Sequence, residues 1–492
     1  MTFNSSIAGQ SHDDHSVSRR DLLLTGCSML AVSLAAAIPG LNASAFADET
    51  QPPHIIYILA DDLGWKDVGF HGSDIKTPNI DRLAETGARL EQFYVEPMCT
   101  PTRAALLTGR YPLRYGLQTG VIPSGGKYGL ATDEWLLPQV LKEAGYTTAL
   151  VGKWHLGHAD RKYWPRQRGF DHFYGALVGE IDHFKHQAHG FDDWYRDNKV
   201  VREAGYDTTL FGAEAARIIG GHDPKTPLFL YLAFTAPHTP YQAPKDYLDK
   251  YAHIADESRR AYAAMVTAMD DEIGRVVQAL ESRGMRENTL IIFHSDNGGT
   301  RSAKFTGESV VKGPLPPDNG PYRDGKGTLY EGGTRVCALA NWSGRITPGV
   351  VDGMLHVVDM YPTLAGLAQG TLGKNKLLDG VDAWPAISKN SASPRKEIVY
   401  NVEPFRAAVR KGDWKLNLHA LLPGKIELFD LANDVSETTD LSDKNREKVA
   451  ELRGRIDELA RESVPPLLVM DTIRLVLGSP PSTPEMMFEN SD

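Results

Sequence analysis

Residues 54–62 read His54-Ile55-Ile56-Tyr57-Ile58-Leu59-Ala60-Asp61-Asp62. An unbroken apolar run that ends abruptly in acid is the pattern of a strand buried on both faces, as in a helix-covered parallel sheet. Three further short apolar runs read as buried strands: Thr147 to Val151, Leu228 to Phe234 and Thr289 to Phe293. Helical patterns lie between them, at Thr77 to Thr86, Glu134 to Ala144 and Ser258 to Arg283. Such alternation predicts an α/β fold.

The residues just after each run matter more than the runs themselves. Asp61-Asp62 ends the first, Gly152-Lys153-Trp154-His155 the second, Pro237-His238 the third and His294-Ser295-Asp296-Asn297 the fourth. In a parallel sheet, ligands bind beyond the carboxyl ends of the strands. One acid or histidine after a strand is usually a cap or turn residue, but four chemistry-bearing strand ends define a site. Asp61, Asp62 and Asp296 would repel one another there unless a cation sat among them. With Asn297 they form an all-oxygen set, suited to Ca²⁺, with Mg²⁺ as the alternative. Arg103, Lys153, Lys326, His155 and His238 supply the opposite charge, which suits an anionic tetrahedral group.

The chain has 492 residues and a net charge of −10, which gives no support for nucleic-acid binding. Residues 1–47 read as a twin-arginine export signal: Ser18-Arg19-Arg20-Asp21-Leu22-Leu23-Leu24, a modest apolar run, and Ala45-Phe46-Ala47 before Asp48. A retained anchor and a lipoprotein site at Cys27 are the weaker readings. Pro39 and Gly40 cut the apolar run short of the ~20 residues of a membrane span, and the run lies on the wrong side of Cys27. The expected partner is the twin-arginine translocase and the expected location the bacterial periplasm or beyond. Past a Ser/Asn/Pro stretch at Ser388 to Pro394, short strand patterns at Glu397 to Tyr400, Phe405 to Arg410, Trp414 to Leu418 and Ile426 to Leu428 precede a helix bearing Val449, Leu452, Ile456 and Leu459. They predict a small antiparallel sheet with one packed helix. The expected division is 48–390 for the catalytic body and 391–492 for this lobe and tail.

Cys99 lies in Pro97-Met98-Cys99-Thr100-Pro101-Thr102-Arg103-Ala104-Ala105-Leu106-Leu107-Thr108-Gly109. Thr100 reads as an N-cap, Pro101 as the first helical residue and Gly109 as the stop. Cys99 then sits just before a helix N-terminus, which favours an anion. A disulfide with Cys337 would leave the surrounding motif unexplained, and Cys337 lies in an apolar run that reads as core.

These residues resemble the sulfatase family. Cys99-x-Pro101-x-Arg103 through Gly109 matches one family signature, and Gly145 to His155 matches a second. The likeness runs from about Pro53 to Pro385, with Glu427 to Leu431 resembling the family's C-terminal part. It is nearest to the arylsulfatase B (N-acetylgalactosamine-4-sulfatase) branch through Asp61 to Trp65, Gly69 to Ser73 and Leu329 to Gly333. The resemblance implies an alkaline-phosphatase-like fold: a large, mostly parallel mixed sheet between helices. It implies conversion of Cys99 to formylglycine by the formylglycine-generating enzyme, and hydrolysis of aryl sulfates or sulfated sugars by the aldehyde hydrate. Asp61, Asp62, Cys99, Asp296 and Asn297 resemble the metal ligands. Arg103 and Lys153 resemble the residues that stabilise the hydrate, and His155 the base that opens the sulfated intermediate. His238 and Lys326 resemble the sulfate-binding and leaving-group residues. Gly179-Glu180-Ile181-Asp182-His183 departs from the expected pocket loop, which opens the question of substrate. His71, His294 and Glu331 lie near the site as structural residues. The rival readings are a phosphonate or phosphate ester hydrolase with the same site and a non-catalytic binder of sulfated polymers.

Overall fold

The computed structural model describes residues 51–476, except 303, 305–314, 373, 375 and 422; the export segment with Arg19, Arg20 and Cys27 lies outside the described residues. The apolar runs form strands β1 (His54–Ala60), β2 (Thr147–Gly152), β3 (Leu228–Ala233) and β4 (Thr289–Ser295). They lie side by side and parallel in the order β4-β1-β3-β2. Six shorter strands extend this sheet to ten among the described residues, and Ala338–Asn341 runs antiparallel to β4, so the sheet is mixed but mostly parallel.

Because side chains alternate along a strand, β1 feeds two cores. Ile55, Tyr57 and Leu59 point into one and Ile56, Ile58 and Ala60 into the other. Helix α1 (Cys99–Thr108) packs in the first through Ala104 to Leu107. Helices α2 (Asp207–Gly221) and α3 (Glu257–Ser282) pack in the second through Phe211, Ala215, Tyr262 and Met265. Both faces are therefore covered, as the uniform apolarity of the strands requires.

Strands β5 (Glu397–Glu403), β6 (Arg406–Lys411), β7 (Trp414–His419) and β8 (Lys425–Asp430) form the expected antiparallel sheet in sequential order. Gly412 turns the hairpin at φ +59°. Helix α4 (Arg446–Glu462) covers this sheet with Leu452, Ile456 and Leu459, which join the first core.

Three local expectations change. The helix expected from Glu134 runs Leu137–Glu143, because Pro138 occupies its first turn, where a missing N–H costs nothing. Ser388 belongs to a helix, Trp384–Lys389, and donates its hydroxyl to the Trp384 carbonyl, so the loop begins at Asn390. Cys99 is the first residue of α1 and Met98 takes the cap position; Thr100 donates instead to the His155 carbonyl oxygen at 2.9 Å. Gly109 ends α1 at φ +67° as expected. Cys337 is buried and free, as is Cys99. No described helix is long and apolar enough to cross a membrane.

Candidate functional site

The strand ends converge. Asp61 and Asp296 are tied to them by backbone bonds, Asp61 N–H to Ala236 O at 3.0 Å and Asp296 N–H to Ala60 O at 2.9 Å. Lys153 donates its N–H to Ala233 O at 2.8 Å. Asp62 and His155 turn away from their strands in the left-handed region, at φ +65° and +57°. That conformation is strained for non-glycine residues, and it concentrates at functional sites. From α1 come Cys99 and, one turn on, Arg103. Lys326 arrives on a loop pinned by Lys326 N–H to Gly299 O and Gly327 N–H to Pro97 O.

Every residue of the expected set is buried. Arg103 Nη2 lies 2.8 Å from Asp296 and 3.5 Å from Asp61. Lys153 Nζ lies 2.5 Å from Asp61 Oδ2, and Lys326 Nζ 2.8 Å from Asp62. Cys99 Sγ is 3.5 Å from Asp61 Oδ1, and His238 Nε2 is 3.6 Å from Asp62 Oδ2. Asn297 donates Nδ2 to Asp62 at 2.7 Å and to the Gly298 carbonyl. Its Oδ1 is buried with no partner.

These contacts set the protonation states. Burial opposes ionisation of Asp62, but Lys326 and then His238 overcome it and hold the carboxylate well below the usual range. Burial and the charge on Asp61 raise Asp296. Burial and Asp296 push the Cys99 thiol far up, so it stays protonated. Burial and Lys326 lower His238 to about 3, and burial with Lys153 and Arg103 lowers His155 well below its ordinary value. Both imidazoles are neutral at pH 7. His155 Nε2 faces the Ile122 carbonyl oxygen at 3.1 Å, an acceptor, so Nε2 carries the hydrogen. That leaves Nδ1, buried and without a partner, with a free lone pair.

Asp61, Asp62, Cys99 and His238 place ligand atoms within 4.8 Å of one another, so the His238 imidazole stands beside three members of the expected ligand set. Asp296 turns Oδ2 to Arg103 and accepts the Asp62 N–H on Oδ1 at 3.2 Å. Sequence reading also missed Thr300, whose hydroxyl donates to Asp62 Oδ2 at 2.8 Å; a threonine after two glycines gives no signal. His294 bridges the Tyr57 hydroxyl and the Ser295 carbonyl, and His71 stacks on Trp65, so both are structural. Glu331 binds the Tyr94 and Tyr400 hydroxyls and Lys415, and so ties the four-stranded sheet to Tyr94 and to the short helix Glu331–Thr334.

The sulfatase family profile matches residues 53–371. This chain belongs to the sulfatase family. Members of this family are sulfuric ester hydrolases, and sulfate ester hydrolysis is the reaction class of this sulfatase. It is 41% identical to arylsulfatase J of Mus musculus over 374 residues, covering 74% of this chain and 60% of that one. It is 35% identical to N-acetylgalactosamine-6-sulfatase of Mus musculus over 396 residues, covering 76% and 73%. Among solved structures, Ps i-CgsB in complex with k-i-k-neocarrahexaose superposes with a TM-score of 0.77 at 34% identity, covering 88% of this sulfatase and 98% of that chain. The relatives carry different member names, so similarity establishes the family and leaves the arylsulfatase B assignment as a reading of motifs.

Proposed function

We propose that this sulfatase is exported and removes sulfate from a sulfated sugar, with Cys99 matured to formylglycine and one divalent cation bound. The observation that carries the reading is the set of charges packed under the N-terminus of α1. Asp61, Asp62 and Asp296 balance Arg103, Lys153 and Lys326, so the addition of one divalent cation leaves a net positive pocket for an anionic ester.

The residues present suit a hard cation. Asn297 Oδ1 is a buried acceptor in need of a positive partner, and an uncompensated buried acceptor is costly. Asp61, Asp62, Asp296 and Asn297 would hold the ion, with the residue-99 side chain as a further ligand, and Ca²⁺ fits this oxygen-rich set better than Mg²⁺. When bound, the ion polarises the sulfate oxygens, and the matured residue 99 supplies the hydroxyl nucleophile that a protonated thiol does not. Arg103 and Lys153 hold developing negative charge beside position 99. His155 takes up a proton at Nδ1, its free lone pair. Lys326 and His238 bind the sulfate, and one of them gives the departing alcohol its proton.

Residues 48–390 act as the catalytic body and 391–492 as the supporting lobe. Arg19-Arg20 and the small-residue cleavage site support export to the periplasm through the twin-arginine translocase, which carries folded, already matured chains. Replacing both Arg19 and Arg20 by Lys should trap precursor in the cytoplasm, as read by fractionation and N-terminal sequencing; normal export would end that part of the reading.

The test of the reaction is sulfate release by purified, maturation-competent protein from matched aryl sulfates, sulfated sugars and phosphate esters. Turnover of sulfated sugars above the phosphate esters is expected. A preference for phosphate or phosphonate esters would favour the rival hydrolase, and binding without turnover the polymer-binding reading.

A further inference from the structure

The imidazole of His155 is packed against the backbone at Gly179. A Cβ added there would lie 2.2 Å from His155 Cε1, 2.5 Å from Nε2 and 2.8 Å from Nδ1, so no side chain fits between them. Gly179 follows the strand His172–Gly175, whose continuation stays in step with residues 152–155. Ala176 donates its N–H to the Gly152 carbonyl at 3.3 Å, and Trp154 N–H returns to the Ala176 carbonyl at 2.9 Å. His155 N–H reaches the Leu177 carbonyl at 3.1 Å, the last bond of this ladder.

Asp193 continues the hold. Its Oδ1 accepts the Leu177 N–H at 3.2 Å and its Oδ2 the Val178 N–H at 2.9 Å. The carboxylate is buried, and its own N–H is fixed to the His186 carbonyl at 3.0 Å. Burial pushes its pKa up to about 6, and the two backbone N–H groups oppose that rise, so it is ionised at pH 7. Among the described residues no cation pairs with it. A buried carboxylate without a counter-charge is costly. What it grips explains it: two oxygens accept two successive N–H donors, whereas an amide has one acceptor oxygen and would turn its NH₂ to the other donor.

His155 needs such a grip. It sits at φ +57°, and among the described residues its ring makes a single hydrogen bond, Nε2 to the Ile122 carbonyl. One bond leaves a ring free to tilt about its Cβ–Cγ bond, a soft torsion in histidine. The Gly179 backbone restricts that tilt, and Nδ1 keeps its free lone pair. We propose that Asp193 and Gly179 are positioning residues for His155: the carboxylate holds the backbone of Leu177 and Val178 so that Gly179 seats the imidazole with Nδ1 open to take a proton. The inference rests on the reading of His155 as the base that acts as sulfate leaves, and deepens it.

The experiment compares the full matured enzyme with its Asp193→Asn, Gly179→Ala and His155→Ala variants on 4-nitrophenyl sulfate. Departure of the alcohol does not use His155. Each variant should therefore release about one equivalent of 4-nitrophenol in a fast burst and then turn over at least about tenfold more slowly than the parent. KM should fall together with kcat, because slowing the second of two steps lowers both. Asp193→Asn barely changes the volume, so it reports even where Gly179→Ala fails to fold. A second readout needs no turnover: nitrogen NMR of the Cys99→Ala protein made with isotope-labelled histidine. The His155 ring should show the Nε2–H tautomer. Adding Asp193→Asn should shift its resonances and leave those of His294 in place. Parental kinetics with unmoved His155 resonances in Asp193→Asn would overturn the seat, as would a loss of turnover confined to burst amplitude. A His155→Ala enzyme that slows without a burst would instead overturn the reading of His155 as the base, while shifted ring resonances in Asp193→Asn would leave the seat standing.

Discussion

At position 99, a thiol buried beside Asp61 and Asp296 has no easy route to the thiolate, since burial and the Asp296 charge both favour the protonated form. Direct attack by sulfur is thus the weakest chemistry the site offers, and modification of Cys99 the strongest. Cys99→Ala should lower kcat by at least about a thousandfold, with a melting temperature close to that of the parent. Mass spectrometry of the parent peptide should show an aldehyde-reactive residue at 99, and an unmodified thiol in fully active protein would rule out the assigned nucleophile. The charged members of the site were legible in the sequence because strand ends of a parallel sheet share one edge, so Asp61, Lys153, His238 and Asp296 could be grouped without a structure. Side-chain reach was not legible. Nothing in the spacing says that His238 lies 3.6 Å from Asp62, that Arg103 stands between Asp61 and Asp296, or that Thr300 reaches Asp62.

The elements themselves were mostly plain in the sequence, because a strand buried on both faces must be apolar throughout and the C-terminal strands must alternate. Helix starts were less so. Met98 has no capping side chain, so local propensity moved the start of α1 to Thr100, whereas the tertiary contact of Thr100 with His155 decides otherwise. The end of β2 shows how an element sets the chemistry. Gly152 adopts φ +115°, and a Cβ there would lie 1.8 Å from the Ala233 carbonyl oxygen. The same carbonyl receives the Lys153 N–H. Only glycine lets β2 pass so close to β3 and then turn Lys153 toward Asp61. Gly152→Ala should cost about 2–4 kcal/mol of stability, seen as a lower urea midpoint. It should also reduce kcat at temperatures where the variant is fully folded, since Lys153 is displaced. Parental kcat and midpoint together would refute this account of the strand end.

Across the whole molecule, a buried charge network ties the C-terminal sheet to the segment that follows Lys326. Lys415 on β7 lies 3.0 Å from Glu331 and 2.8 Å from Glu437, all fully buried. Glu331 N–H bonds Glu437, and Arg323 donates to the Glu437 carbonyl, so the C-terminal lobe grips the loop that carries Lys326. Lys415→Met would remove the ammonium that two buried carboxylates share and should cost about 3–5 kcal/mol, with a rise in KM for sulfate esters as the Lys326 loop loosens. Loss of stability with KM unchanged would limit the lobe to a structural role. The site proper is arranged differently. Because Arg103, Lys153 and Lys326 already neutralise Asp61, Asp62 and Asp296, removal of the cation should not unfold the chain. Chelation should therefore abolish turnover but leave the circular dichroism spectrum unchanged, and the protein should melt at a lower temperature. Calcium at a hundred times its dissociation constant should restore about 2.7 kcal/mol. Asn297→Ala keeps the charge balance and removes one oxygen, so it should raise the calcium needed for half-maximal activity about tenfold and shift the unliganded melting temperature little. Chelator-resistant turnover, or elemental analysis that finds zinc at full occupancy without calcium or magnesium, would overturn the assignment of a hard cation to this oxygen-rich set.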